Sequence, residues 1–255
     1  MSDSEEDVGG ALFQEPQDFY QPEKQPTFVQ HRLLDGQELN LRLVGHNPLW
    51  GHHLWNAGRT IADYLEEHAS TDLAGNTVLE LGAGAGLPRF DSDDTANFQL
   101  CLVSAIKGAT SVVVTDYPDA DLIENLQYNI DHCHLLPEPK KISAVGYLWD
   151  GQKQGFDVLI LADLLFNHSE HAKLVQSVQR TLSRNPSSKA LVFFTPYRPW
   201  LLERDLAFFD LAREGGLTVT KVMEKVMDKV MFEEDPGDEL LRRTVYGYEL
   251  HWANP

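Results

Sequence analysis

From residue 54 onward the apolar positions fall into two rhythms that take turns. Short unbroken apolar runs predict strands buried on both faces: Thr77–Leu81, Ser111–Thr115, Ile142–Tyr147, Phe156–Ala162 and Ala190–Phe194. Between them, apolar residues three and four apart predict helices. Leu54, Ala57, Ile61 and Leu65 precede the first strand, Leu100–Ile106 follows it, and Leu122, Ile123, Leu126, Ile130 and Cys133 form the next stripe. His168, Ala172, Leu174 and Val178, and then Leu201–Arg213, complete the set. Leu217–Val222 and Thr244–Trp252 read as two final strands, the second alternating cleanly. Strands and helices alternating on this scale predict an α/β fold, a seven-stranded doubly wound sheet. Ahead of it, His31–Leu34 and Leu39–Val44 flank Asp35-Gly36, the turn chemistry of a small hairpin. The fours Lys221-Val-Met-Glu, Lys225-Val-Met-Asp and Lys229-Val-Met-Phe fit a helix or an extended chain equally well.

Three zones follow. Residues 1–10 form an acidic tail without the apolar content to order it. Residues 11–53 combine the hairpin with a strap, Leu12–Phe28, whose four aromatics and three prolines suit neither helix nor central strand. This strap either packs across the domain or flaps over a substrate channel. Residues 54–255 form the main domain. A ten-residue, mostly polar stretch, Arg89–Phe98, intervenes where the helix after the first strand should begin, and reads as a surface loop or as a retained intron.

Charge narrows the function. A formal net charge of −18 over 255 residues opposes a phosphate-binding surface, which makes nucleic acid a poor substrate and a basic protein a suitable partner. Two cysteines, an acidic start and no apolar run near the ~18 residues of a membrane span place the chain in a reducing, cytoplasmic setting with no membrane contact. His132-Cys133-His134 lacks a second cluster at ligand spacing, so no metal is expected.

The chemistry centres on Glu80-Leu81-Gly82-Ala83-Gly84-Ala85-Gly86, a glycine-rich turn leaving a buried strand. Such a turn lets a ligand approach the backbone and meet its N–H groups. Counting from Gly82, the dinucleotide pattern needs glycine at 87, where leucine stands. Asp116 ends the second strand, 30 residues beyond Gly86 and about 20 without the polar insertion, the spacing of a carboxylate that accepts ribose hydroxyls. Asp116 or Asp119 could instead cap the next helix. Asp163 ends the fourth strand beside Ala162, and strand ends in open α/β sheets are where ligands gather.

Glu-x-Gly-x-Gly-x-Gly after a strand, the second-strand acid and Asp163-Leu-Leu-Phe166 together resemble the Rossmann-like class I methyltransferases, in particular their lysine-methyltransferase branch. The segments Phe13–Phe28, Val114–Asp119 and Asp235–Tyr248 are similar to the fungal protein N-terminal and lysine methyltransferases that modify translation elongation factor 1-alpha. The resemblance implies S-adenosyl-L-methionine as cofactor, with Gly82, Ala83 and Gly84 along its methionine part. Glu80 would fix the turn or meet the cofactor ammonium. The same resemblance puts Trp55 and Trp149 on the cofactor pocket, with Asp116 on the ribose and Ala162 beside it. Asp163 is implied to orient the substrate amine and Phe166 to wall its channel. Separately, the proline-bearing loop after the fifth strand places Tyr197 and Arg198 to face the substrate. For Trp55 a core position, and for Asp163 a helix cap, stay open. The implied substrate is the N-terminal glycine α-amine and adjacent lysine of elongation factor 1-alpha, methylated by a monomer. A small-molecule amine methyltransferase of nicotinamide type and a non-catalytic binding module are the alternatives.

Overall fold

The computed structural model describes residues 26–43, 55–83, 99–147 and 155–255. The tail, the strap up to residue 25, the Arg89–Phe98 insertion, Gly84 and Trp149 lie outside the described residues. Strands β1 (Thr27–Arg32) and β2 (Glu38–Leu43) form the antiparallel hairpin, starting four residues earlier than the sequence pattern implies. Alternation is strong in β2, where Leu39, Leu41 and Leu43 are buried, and weak in β1, where Val29 and His31 are only half-buried between exposed neighbours.

The main sheet contains β3 (Thr77–Leu81), β4 (Ser111–Asp116), β5 (Ile142–Gly146), β6 (Val158–Ala162), β7 (Lys189–Phe194), β8 (Leu217–Val226) and β9 (Thr244–Trp252). Their order is β5-β4-β3-β6-β7-β9-β8, parallel except for β9, which runs antiparallel between β7 and β8. The Lys-Val-Met repeat is thus settled as extended chain through Val226.

Both faces are covered. Helices α1 (Asn56–Glu67), α2 (Gln99–Ile106) and α3 (Ala120–His132) pack on one face, joined by the hairpin leucines. Helices α4 (His171–Thr181) and α5 (Leu202–Glu214) cover the other, and a short α6 (Glu239–Arg242) precedes β9. Strand alternation divides the core accordingly: Val78, Ile160, Leu191 and Phe193 face the first layer, while Leu79, Leu159, Leu161, Val192 and Phe194 face the second. The sheet reverses its winding between β3 and β6. Their carboxyl ends, at Gly82 and Asp163, flank that crevice.

Candidate active site

Two half-sites meet at this crevice. The β3–β4 half holds Glu80 and Asp116, 1% and 2% exposed. Among the described residues neither Glu80 carboxylate oxygen has a hydrogen-bond partner of good geometry. The Glu80 pKa is raised to about 8: burial is the chief cause, the nearby Cys101 thiol and amide partly oppose it, and the Asp116 charge adds to the rise. An unsatisfied buried carboxyl is costly unless something else meets it. That orphaned group, at the lip of a glycine turn, fits a cationic ligand group such as an ammonium. Asp116 Oδ1 accepts from the Tyr117 amide at 2.6 Å. The helix cap falls to Asp119, which accepts from the amides of Asp121 and Leu122.

Gly82 is required for two reasons. Its φ of +66° lies in the left-handed region, and a Cβ there would stand 2.7 Å from Leu164 Cδ2. Close packing against β6's exit loop therefore uses the missing side chain. The expectation that the turn's N–H groups are free for a ligand needs correction at Ala83. Its amide donates to the Thr115 carbonyl at 3.0 Å, and the Thr115 hydroxyl donates to the Glu80 carbonyl at 2.7 Å, so β3 and β4 are stitched together beyond their ladder.

The β6–β7 half is organised by Asp163, which follows Ala162, itself buried at the end of β6. Asp163 has φ +51°, an uncommon conformation for a residue with a side chain. Its Oδ1 accepts from the Thr195 amide at 2.7 Å and its Oδ2 from the Ala57 amide at 3.2 Å. The Tyr197 hydroxyl lies 3.5 Å from Oδ2 and accepts from the Asn56 amide at 3.2 Å. Asp163 thus joins the ends of β6 and β7 to the first turn of α1, where an anion also favours the helix dipole. It caps a helix, as one alternative allowed, but that helix is α1, over 100 residues upstream, and not the one that follows it. Burial raises the Asp163 pKa to about 7 against these hydrogen bonds.

Trp55 ends up in this half, 7% exposed at the start of α1. Its ring meets Tyr197 edge-on at 5.1 Å and Phe232 at 6.1 Å, and Tyr197 meets Phe232 at 5.8 Å. Phe166 is half-buried, and its carbonyl accepts from Arg198 Nη2 at 2.8 Å. The structure therefore brings Trp55, Ala162, Asp163, Tyr197 and Phe232 together, sets Glu80 and Asp116 on the neighbouring strands, and joins the halves where Gly82 meets Leu164. Phe232 was not anticipated. Its signal was the break in the Lys-Val-Met repeat, where the third unit ends in an aromatic instead of an acid. Among the described residues no cluster of three His, Cys, Asp or Glu side chains could hold a metal ion.

Comparison with known proteins agrees with this architecture. Residues 33–214 match a family model described as lysine methyltransferase. A protein N-terminal and lysine N-methyltransferase of Aspergillus fumigatus is 48% identical over 266 residues, covering 99% of this chain and 98% of its own. One of the same name from Schizosaccharomyces pombe is 41% identical, covering 95% of each chain. Among solved structures, a T. thermophilus 16S rRNA methyltransferase in complex with AdoMet and guanosine aligns with a TM-score of 0.54 at 17% identity, over 88% of this chain and 50% of its own. At that identity the likeness concerns the fold.

Proposed function

The chain belongs to the lysine methyltransferase family, and from that premise we propose that this S-adenosyl-L-methionine-dependent enzyme methylates the N-terminal glycine α-amine and adjacent lysine of translation elongation factor 1-alpha in the cytoplasm. The observation that carries the reading is the pairing of a buried, unpartnered Glu80 with an aromatic corner around Asp163, across one crevice.

When bound, the cofactor supplies a methyl group on a sulfonium. Among the described residues, Glu80 would meet its ammonium, Asp116 would accept from the ribose hydroxyls, and Gly82 and Ala83 would border its methionine part. Trp55 and Ala162 would line the rest. What this chain's own residues must do for the substrate is present a neutral amine in line with that methyl and keep water away. Tyr197 and Phe232 offer ring faces that favour the cationic amine on entry, and Phe166 walls the approach. Asp163, already engaged from two sides, fixes Tyr197 and the start of α1, and its remaining lone pairs orient the amine N–H. The acidic surface, net −18, suits a basic protein substrate. Among the described residues no helix is long and apolar enough to cross a membrane.

The test is incubation with labelled S-adenosylmethionine and three acceptors: elongation factor 1-alpha with a free N-terminus, the same protein acetylated there, and nicotinamide. Label on the terminal glycine and adjacent lysine of the first acceptor is expected. Label on nicotinamide alone would replace the proposal with a small-molecule amine substrate.

A further inference from the structure

Beside the crevice lies a histidine–carboxylate pair with no role in the reading above. After Asp163 the chain buries Leu164 and Leu165, then leaves Phe166, Asn167 and His168 half-buried. His171 Nε2, 2.7 Å from the Leu165 carbonyl, and Arg198, donating to the Phe166 carbonyl, hold this loop in place. Asp205, in the first turn of α5, accepts from His168 Nε2 at 2.6 Å. The carboxylate side chain is 8% exposed and the imidazole 22%. With Nε2 carrying the hydrogen, Nδ1 holds the lone pair, and it has no hydrogen-bond partner among the described residues.

The pair belongs electrostatically to the site. Asp205 acts on Asp163, Arg198 acts on Asp205, and His171 faces the His168 ring edge-on at 5.5 Å. A half-open imidazole oriented through one nitrogen by a buried carboxylate is the arrangement of a general base. The reaction needs one. At pH 7 about one α-amine in ten is neutral, but only about one lysine in several thousand.

We propose that His168, oriented by Asp205, takes the proton from the substrate ammonium before methyl transfer. This rests on the methyltransferase reading. The ammonium N–H bond breaks, its proton passes to His168 Nδ1, and the pair left on nitrogen forms the new N–CH3 bond. The carbon–sulfur bond breaks as that bond forms, its electrons staying on sulfur. The exposed imidazolium then returns its proton to solvent. His168 is the catalytic residue and Asp205 a positioning residue.

The decisive variant is His168→Gln, whose amide can still donate to Asp205 while offering no base. With peptides presenting a single α-amine or a single lysine, kcat for lysine should fall about 100- to 1,000-fold at pH 7 and kcat for the α-amine distinctly less. KM and S-adenosylhomocysteine affinity should stay within about twofold of wild type. In the variant, log kcat for lysine should climb with unit slope toward pH 10. His168→Ala should be rescued by added imidazole in proportion to its neutral form, and Asp205→Asn should shift the pH profile with a smaller loss. Unchanged kcat in His168→Gln, or a loss that neither imidazole nor high pH restores, overturns the proposal. Wild-type enzyme that methylates no amine would instead overturn the functional reading itself.

Discussion

If Glu80 meets the cofactor ammonium, binding must expel a proton. The free protein's Glu80 has a pKa of about 8, so at pH 6 to 7 it is about nine-tenths or more protonated. Facing a cation, the same group ionises, and one proton leaves per ligand bound. Affinity should then rise about tenfold per pH unit between pH 5.5 and 7, about 30-fold or ~2 kcal/mol in all. The window stops short of the ligand's own α-amine, whose pKa lies near 8. S-adenosylhomocysteine, which keeps that ammonium, is the convenient probe. Titration calorimetry in buffers of differing ionisation enthalpy counts the protons directly, and should give close to one released. Glu80→Gln should bind more weakly, release none and show a flat profile. Asp163 titrates in the same range, near pH 7, so the comparison with the variant assigns the proton. Equal release by both proteins, or none by wild type, would refute the ammonium contact and leave Glu80 as a device that only shapes the turn.

The same carboxyl shapes stability. Because its folded pKa is raised from 4.5, folded protein retains a proton that unfolded chain has lost, and stability drains as pH climbs toward 8. Wild type should lose about 3.5 kcal/mol relative to Glu80→Gln between pH 5 and pH 8, seen by urea unfolding, and a gap that moves the other way contradicts the buried neutral carboxyl. Gly82→Ala should cost roughly 2–4 kcal/mol through its positive φ and the Leu164 contact. Adding Leu164→Ala should recover part of that loss, so strictly additive effects would deny the clash. Terminal-amine methylation should persist to lower pH than lysine methylation, following their reference pKa values near 8 and 10.4. Fragment mass spectra across pH would refute this by showing the lysine mark as the more acid-tolerant.

Much of the fold was legible because a doubly covered sheet writes unbroken apolar runs, and Val158–Ala162 or Lys189–Phe194 leaves little else to choose. The hairpin was found from its turn, but its limits slipped because β1 is largely exposed and alternates only weakly. Strand order was beyond reach of any local pattern, since the antiparallel insertion of β9 is decided by long-range pairing. At the site, residue types and spacing located Glu80, Asp116 and Asp163. They did not say which partners each would find. Asp163 is committed to Ala57 and Thr195, contacts 106 and 32 residues away in the chain. Phe232 reaches the aromatic corner from a segment whose four-residue repeat fits helix and extended chain alike, and the His168–Asp205 pair spans 37 residues. Contacts closed over such distances are set by the assembled core, and a sequence shows only their ends.

The placement of β9 between β7 and β8 also bears on how the protein is made. During synthesis β8 emerges with no neighbour to join, because the strand that will bridge it to the sheet is the later one. Until residues 244–252 are available its ten residues stay unpaired, with Val222 and Val226 still exposed even in the finished protein. Chains ending before residue 244, held on the ribosome through a linker long enough to clear the exit tunnel, should therefore yield a five-stranded intermediate that recruits chaperones, and chains extended through residue 252 on the same linker should release it.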